Sequence, residues 1–170
     1  QTTAFLKDRL EGLGIHVLES GLKTGLIAEI GTGHPVVALR ADIDALPIVE
    51  QTGLPYQSQN PGVMHACGHD FHQTSLLGAA ALLKEKEAQL DGTVRLIFQP
   101  AEEISEGATE VLATGLLEDV QGIIGFHNMP QLKAGQLALN AGAMMAGVEK
   151  FKVTVTGFSS HAARPDLGAD

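Results

Sequence analysis

The sequence predicts an α/β fold in which a largely parallel sheet is flanked by helices. Continuously apolar runs alternate along the chain with segments whose apolar residues recur at helical spacing. Helices that cover both faces of a parallel sheet make its strands read as such apolar runs. The chain has 170 residues, of which 44% are hydrophobic, so it is long and apolar enough to bury a core.

The first half of the chain is predicted to form a helix, two strands and a second, longer helix. Thr2 or Thr3 can cap the first helix, and Gly14 can end it. Short turn sequences and a proline-containing loop separate the later segments. The predicted elements are a helix up to residue 13, strands at 26–30 and 36–41, a loop at 43–64 and a helix at 69–87.

The second half continues this alternation and then changes in character. Buried strands are predicted at residues 94–98 and 123–126, with a short helix at 106–113 between them. Residues 151–156 alternate apolar and polar side chains, as in a strand with one solvent-exposed face. We therefore expect one domain at residues 1–146 and the start of a smaller one at 147–170, which is too short to form its own core.

Charge and hydropathy exclude several classes of protein. Lys plus Arg is 11 and Asp plus Glu is 20, giving a net charge of −9, whereas nucleic-acid-binding proteins carry a basic surface. The longest apolar stretch, residues 76–83, is far shorter than the ~20 residues that span a bilayer, so no membrane partner is expected. A single cysteine, Cys67, and no visible signal peptide favour a reducing compartment, the cytoplasm.

The densest cluster of polar residues is the sequence His-Ala-Cys-Gly-His-Asp at 65–70. Thiolate and imidazole groups bind zinc, manganese and similar divalent ions. Cys67 and His69 can bind one ion only if Gly68 interrupts the helical path, and a position at the helix N-terminus would lower the pKa of the thiol. Taken alone, the segment is explained equally well by a buried free cysteine beside capping residues.

Three predicted strand ends carry further polar residues, and ligands of open α/β sheets gather at such ends. Asp42 and Asp44 follow one strand, Glu102 and Glu103 another, and His127 a third. On an extended backbone the two glutamates would point to opposite sides, so that one binds an ion while the other acts as a general base. Each residue alone has an ordinary structural explanation in a turn, a cap or a satisfied histidine. Their combination favours a metal site.

Four segments resemble those of a known family in their order and separation. They are LRADIDALP at 39–47, HACGHD at 65–70, QPAEE at 99–103 and GFHNMP at 125–130. Together they resemble the metal-dependent N-acyl-amino-acid amidohydrolases, which include hippurate hydrolases, auxin-conjugate hydrolases and N-acetyl-diaminopimelate deacetylases. The resemblance implies a dinuclear metallopeptidase catalytic domain followed by the start of an α+β lid or dimerisation domain. It also implies hydrolysis of the amide bond of N-acyl amino acids or short peptides.

The resemblance further implies two divalent metal ions per subunit, with manganese or zinc first and cobalt or nickel also compatible. Cys67 would bridge the ions, with His69, Glu103 and His127 as the other ligands, and Glu102 would be the general base. One more histidine ligand of the family has no counterpart in residues 1–170. We therefore expect these residues alone to bind metal weakly and to hydrolyse nothing.

Three other histidines and one aspartate receive supporting roles. By the looser part of the resemblance, Asp44 orients a metal ligand. His161 matches a histidine that stabilises the tetrahedral intermediate, in related enzymes from the partner subunit, which implies a homodimer through the lid domain. His65 and His72 flank the ligand motif and are expected to orient the ligands. His16 and His34 have no partner motif and are predicted to lie at the surface.

Two other functions are compatible with the residues. In the first, Cys67 is a covalent nucleophile paired with a histidine, as in cysteine hydrolases. That mechanism gives no role to the Glu102-Glu103 pair. In the second, the domain keeps the fold as a non-catalytic module that binds a metal or another ligand. Loss of activity on chelation, reversed by added ions, would distinguish the metal enzyme from the thiol enzyme.

Overall fold

A five-stranded sheet with helices against it forms most of the first part of the chain. The computed structural model describes residues 1–154 and 156–169. They fall into two units, Gln1–Pro130 and Gln131–Asp170, and the sheet belongs to the first. In order, the elements of that unit are α1 (Thr2–Gly12), β1 (His16–Val17), β2 (Leu26–Gly31), β3 (Val36–Asp42), α2 (His69–Glu85), β4 (Thr93–Gln99), α3 (Gly107–Ala113) and β5 (Val120–Gly125), with a 3-10 turn at Glu87–Gln89.

The strand order across the sheet is β1-β2-β4-β3-β5. β3 pairs in parallel with β4 and β5, whereas β2 pairs antiparallel with β1 and β4. The predicted α/β sheet flanked by helices is confirmed, and the sheet is mixed because two of its four pairings are antiparallel. The connection between β2 and β3 is too short for a parallel crossover, so the two strands run in opposite directions on either side of β4.

β4 is the centre of the core, and all of its residues are buried. Its side chains alternate between the two faces of the sheet. Leu96 and Phe98 pack on the face covered by α1 and α2, whereas Ile97 packs on the other face with Val111 of α3. Both apolar layers therefore pack on the strand from which the next loop, residues 100–106, continues.

Two predicted strands differ from the structure. β5 is an edge strand rather than a buried one, with Ile123 and Ile124 56% and 68% exposed, because among the described strands it pairs only with β3. Among the described residues of segment 151–156 there is no strand, and Phe151 is 89% exposed. An alternating strand needs a neighbouring strand and an apolar surface, and no described strand pairs with this segment.

The second unit, Gln131–Asp170, contains a 3-10 turn at Pro165–Leu167 and a bridge between Phe158 and Ala169. The domain boundary after Ala146 stays a prediction. Within the described part of the chain, no helix combines the length and the apolar character needed to cross a membrane.

Candidate metal centre

The candidate site lies at the carboxyl ends of the three parallel-paired strands. β3 ends in Asp42 and leads to Asp44, β4 leads to Glu102 and Glu103, and β5 leads to His127. Parallel strands bring their carboxyl ends to one edge, where ligands of open α/β sheets gather. α2 begins at His69 beside the same edge. Three loops and one helix start therefore deliver the polar side chains that the sequence singled out.

His69 is fully buried and is held in one orientation. Its Nδ1 lies 3.0 Å from the backbone oxygen of Asp44 and 3.2 Å from the carboxylate Oδ1 of the same residue. Because both neighbours are acceptors, Nδ1 carries a proton, and in the neutral ring the lone pair is on Nε2. Nε2 is buried and has no hydrogen-bond partner among the described residues. A histidine in this state is ready to bind a cation through Nε2.

Cys67 reaches the same place because Gly68 interrupts the backbone. Gly68 precedes α2 with φ +84°, a left-handed conformation that glycine adopts without a steric penalty. The Cys67 Sγ lies 3.4 Å from Nε2 of His127. One ligand atom each from Cys67, His69 and His127 lie within 4.8 Å of one another. The interruption expected from the sequence is present, and it lets two residues that are two positions apart converge.

Glu102 and Glu103 lie in a turn, not on the extended backbone that the sequence suggested. Their carboxylates therefore face the same side: Oε2 of Glu102 is 3.8 Å and Oε1 of Glu103 is 3.7 Å from Nε2 of His69. Ala101, just before them, has φ +49°, which directs the chain into this turn. The Glu103 backbone N–H donates to Asp44 Oδ2, with 3.1 Å between the atoms. Opposite orientation of the two glutamates was a wrong expectation.

The chemistry of these atoms fits a metal centre. The buried Oε1 of Glu103, like Nε2 of His69, has no hydrogen-bond partner among the described residues. Leaving buried polar atoms unpaired costs about 1–3 kcal/mol each, and a cation between them removes that cost. Thiolate, imidazole and carboxylate ligands suit zinc and related divalent ions. The residues present therefore fit the pair of ions that the family resemblance implies.

The thiol of Cys67 does not have the lowered pKa expected at a helix N-terminus. Burial, then a hydrogen bond between the thiol and the Glu103 carboxylate, and then the charges of Glu103, Glu102 and Asp42 raise the pKa of Cys67 to about 11. Negative charges disfavour the thiolate, and they outweigh the effect of the helix end. A site with this charge distribution attracts a cation.

Below the candidate ligands lies a buried network that includes residues the sequence analysis did not single out. Asp42 accepts from Arg40 Nη1 at 2.7 Å and from His72 Nδ1 at 2.6 Å, and Arg40 Nε donates to Gln99 at 2.9 Å. Burial by itself raises the pKa of Asp42, but the His72 hydrogen bond and the Arg40 charge hold that pKa below its ordinary value. Arg40 and Gln99 lie within the segments 39–47 and 99–103 that resemble the family, but no role was predicted for either residue.

The remaining histidines lie in different surroundings. His16 and His34 are exposed, as predicted. His65 is half-buried, and its Nδ1 has no hydrogen-bond partner in the described part of the chain. His161 belongs to the second unit, is exposed, and accepts a hydrogen bond from the Ala163 backbone N–H at its Nδ1.

Comparison with curated proteins gives relatives that align with the whole chain. An N-acetyl-L-cysteine deacetylase of Bacillus subtilis is 52% identical over 100% of the chain and 41% of its own length. An IAA-amino acid hydrolase of Arabidopsis thaliana, ILR1-like 5, is 48% identical over 100% of the chain and 39% of its own length. The chain thus spans about two fifths of the length of these relatives.

Solved structures are also similar to this chain. A Bacillus subtilis structure described as a dinuclear metal-binding peptidase of the M20 family superposes with a TM-score of 0.75 and 56% identity, over 77% of this chain and 37% of that one. A putative aminohydrolase from methicillin-resistant Staphylococcus aureus gives 0.75 and 38%, over 79% and 37%. The family model for peptidase family M20/M25/M40 matches residues 38–167, which include every candidate ligand named above. The chain belongs to peptidase family M20/M25/M40.

Proposed function

We propose that this chain supplies most of a dinuclear metal centre in a hydrolase that cleaves the amide bond of N-acyl amino acids. The observation that carries the proposal is the pair of buried, unpartnered atoms, His69 Nε2 and Glu103 Oε1, 3.7 Å apart in the described structure. Together with His127 and Cys67, the bridging ligand that the family resemblance implies, these atoms would hold the ions. Two divalent ions bound there would polarise the scissile carbonyl and lower the pKa of a water toward ~7.

Glu102 is the proposed general base. Its side chain is 41% exposed, whereas that of Glu103 is 23% exposed, although both carboxylates face His69. The more accessible carboxylate is better placed to contact substrate and water, and the more buried one to remain a fixed ligand. Glu102 would take a proton from the attacking water at a carboxylate oxygen and return it to the leaving amine.

Asp44 is proposed to orient two of the metal ligands relative to each other. It binds His69 through Oδ1 and the Glu103 backbone through Oδ2. It therefore fixes two of the proposed ligands, which come from different elements. This matches the role of an orienting aspartate.

His161 is proposed to stabilise the oxyanion of the tetrahedral intermediate, donating a hydrogen bond to it in the full-length dimer. One well-placed donor of this kind is typically worth ~3–4 kcal/mol in the transition state. The proposal includes a homodimer formed through a lid domain that begins near residue 147. Support for His161 comes from the segment GFSSHAARP at residues 157–165, which resembles the opening of that domain in the family.

The proposed substrates are N-acyl amino acids or short peptides. The names of two relatives, an N-acetyl-L-cysteine deacetylase and an IAA-amino acid hydrolase, share an acyl group joined to an amino acid. Manganese or zinc is the proposed metal, and cobalt or nickel also suits the ligand set. A cytoplasmic location is proposed because the one cysteine, Cys67, is needed as a free thiol.

The rival thiol mechanism has one supporting contact, the 3.4 Å between Cys67 Sγ and His127 Nε2. Nucleophilic cysteines, however, lie in electropositive surroundings that favour the thiolate. Here the charges that act on the sulfur are the carboxylates of Glu103, Glu102 and Asp42, and they have the opposite effect. The surroundings of Cys67 therefore favour binding of a cation over nucleophilic attack.

The test uses the full-length protein, its metal content and a panel of acyl amino acids. We expect about two divalent ions per subunit, loss of amidase activity on chelation, and recovery when manganese or zinc is returned. Bound ions should also protect Cys67 from alkylation. A protein that holds no metal after purification and reconstitution, or an activity that alkylation removes and chelators leave intact, would contradict the proposal.

A further inference from the structure

A continuous set of hydrogen bonds runs from His127 into the buried part of the fold. His127 Nδ1 lies 2.8 Å from the backbone oxygen of Asn128, to which it donates. The Asn128 backbone N–H in turn points at His72 Nε2, with 3.0 Å between the nitrogens. His72 Nδ1 lies 2.6 Å from Asp42 Oδ1. A side chain at the surface of the site is thus connected to a carboxylate beneath it.

His72 occupies the middle of this set, and the backbone N–H beside its Nε2 favours a ring protonated at Nδ1. Its neighbour at Nδ1 is a carboxylate, so Nδ1 donates. Its neighbour at Nε2 is a backbone N–H, so Nε2 accepts. The Asn128 side-chain amide also contacts Nε2, with 2.5 Å between Nε2 and Oδ1, and a half-turn of the amide offers its NH₂ to the same lone pair. His72 is 1% exposed, so water does not compete for these contacts.

Asn128 is confined on its other side by Gly68. A Cβ added to Gly68 would overlap the Asn128 side chain, with Cγ and Nδ2 at 2.7 Å. The residue that lies between Cys67 and His69 therefore packs directly on the residue that follows His127. The position of Asn128 consequently affects both segments that carry the proposed sulfur and imidazole ligands.

We propose that His72 is a positioning residue for the metal centre, acting through the backbone of Asn128 on the ring of His127. The inference rests on the proposed function, since it concerns the affinity of that centre for metal. By accepting the Asn128 N–H, His72 fixes the His127–Asn128 peptide, and the next carbonyl along the chain, that of Asn128, holds His127 Nδ1–H. The ring is then held with Nε2 facing Cys67. Removing the acceptor frees the peptide and allows His127 to rotate away.

Two substitutions separate this role from that of a buried packing residue. In His72→Asn the short amide can still donate to Asp42, whereas the acceptor for Asn128 is lost. In His72→Gln the longer amide places an oxygen near the position of Nε2 and keeps that acceptor. If His72 only fills space in the core, neither substitution should change metal affinity by more than its effect on the stability of the fold explains. Positioning through Asn128 predicts that only His72→Asn weakens it.

The experiment measures zinc affinity of the full-length, metal-free protein by competition with a chelating indicator, together with the thiolate charge-transfer band of the cobalt form. His34→Gln, at an exposed histidine, is the matched control. We expect His72→Asn to lose roughly 10–100-fold in affinity and to weaken the cobalt band, because partners that orient ligands typically have effects of this size. His72→Gln and His34→Gln should stay within about threefold of wild type, far below that range.

Each other outcome overturns a specific statement. Equal metal affinity in wild type and His72→Asn, or equal losses of metal affinity in both His72 variants, refutes the positioning role. The proposed function is unaffected by either result as long as the wild-type protein binds metal. A wild-type protein that binds no zinc or cobalt refutes both. If His72→Asn does not fold, long-range ¹H–¹⁵N spectra of the metal-free wild type decide: the Nδ1–H tautomer of His72 is expected, and the Nε2–H tautomer would refute the route through Asn128.

Discussion

Asp44 and His69 are joined by two contacts to the same imidazole nitrogen, one from the backbone oxygen at 3.0 Å and one from the carboxylate at 3.2 Å. The second carboxylate oxygen accepts from the Glu103 backbone N–H at 3.1 Å. One aspartate thus links the loop after β3 to the first turn of α2 and to the turn after β4. Its role can be tested without touching any proposed metal ligand.

Substituting Asp44→Asn should weaken metal binding by roughly 10–100-fold. The amide has a single oxygen, so it cannot accept from both His69 Nδ1–H and the Glu103 backbone N–H as the two carboxylate oxygens do. Metal affinity of the full-length protein, measured by competition titration, checks this. Asp91→Asn, at an exposed turn residue away from the site, is the control and should bind like wild type. Unchanged affinity in Asp44→Asn would contradict the orienting role.

Substituting Glu102→Gln should abolish turnover while the metal content stays unchanged. Glutamine cannot accept the proton, and the loss of a general base typically lowers the rate by roughly 10²–10⁴-fold. The measurement pairs the steady-state rate with elemental analysis of the same sample. Glu106→Gln, at an exposed glutamate four positions along, is the control. If the ions leave together with the activity, Glu102 is a ligand and not the base.

The left-handed backbone at Gly68 predicts a different kind of defect. Gly68→Ala places a methyl group against Asn128 in addition to the strain of positive φ. Gly62→Ala, at φ +81° with open space around the added carbon, has the strain alone, which costs about 1 kcal/mol. Both variants should lose unfolding free energy through this strain, and Gly68→Ala should lose more because of the clash with Asn128. Only Gly68→Ala should also lose metal affinity, by about tenfold or more, and equal affinity in the two variants would contradict this interpretation.

The central strand predicts the largest effect on stability. Leu96 is fully buried in β4, so Leu96→Ala leaves a cavity and should cost roughly 2–5 kcal/mol of unfolding free energy. Leu112 in α3 is 65% exposed, and Leu112→Ala should change stability by less than about 0.5 kcal/mol. Denaturant unfolding of the two variants beside wild type provides the comparison. Similar losses of unfolding free energy in both variants would contradict the assignment of β4 to the centre of the core.

Much of the candidate site could be predicted from the sequence because its residues follow strand ends, and apolar runs mark strands clearly. The segment around Cys67 and His69 was recognisable from residue types alone. The glutamate turn was not, because Ala101 adopts a positive φ that an alanine does not signal. The network of Arg40, Asp42 and His72 was also not predicted as a unit. It depends on the pairing of β3 with β4, which cannot be inferred from either segment alone.

The sheet order shows the same division between local and long-range information. The boundaries of β2, β3 and β4 follow from their apolar composition, within about two residues. The insertion of β4 between the other two strands depends on partners some sixty residues apart, such as Ile30 with Val94. The exposure of β5 likewise depends on which elements cover it, and composition does not reveal that.

That insertion also has a consequence for how the molecule acquires its structure. β2 and β3 are close neighbours along the chain, yet they cannot pair as a local hairpin, because β4, which comes later in the chain, lies between them. Until that segment arrives, two hydrogen-bonding edges remain open and are available to other chains. Long-range pairing of this kind slows folding. Early-stage aggregation during synthesis, more than instability of the finished protein, is therefore the expected vulnerability of this architecture.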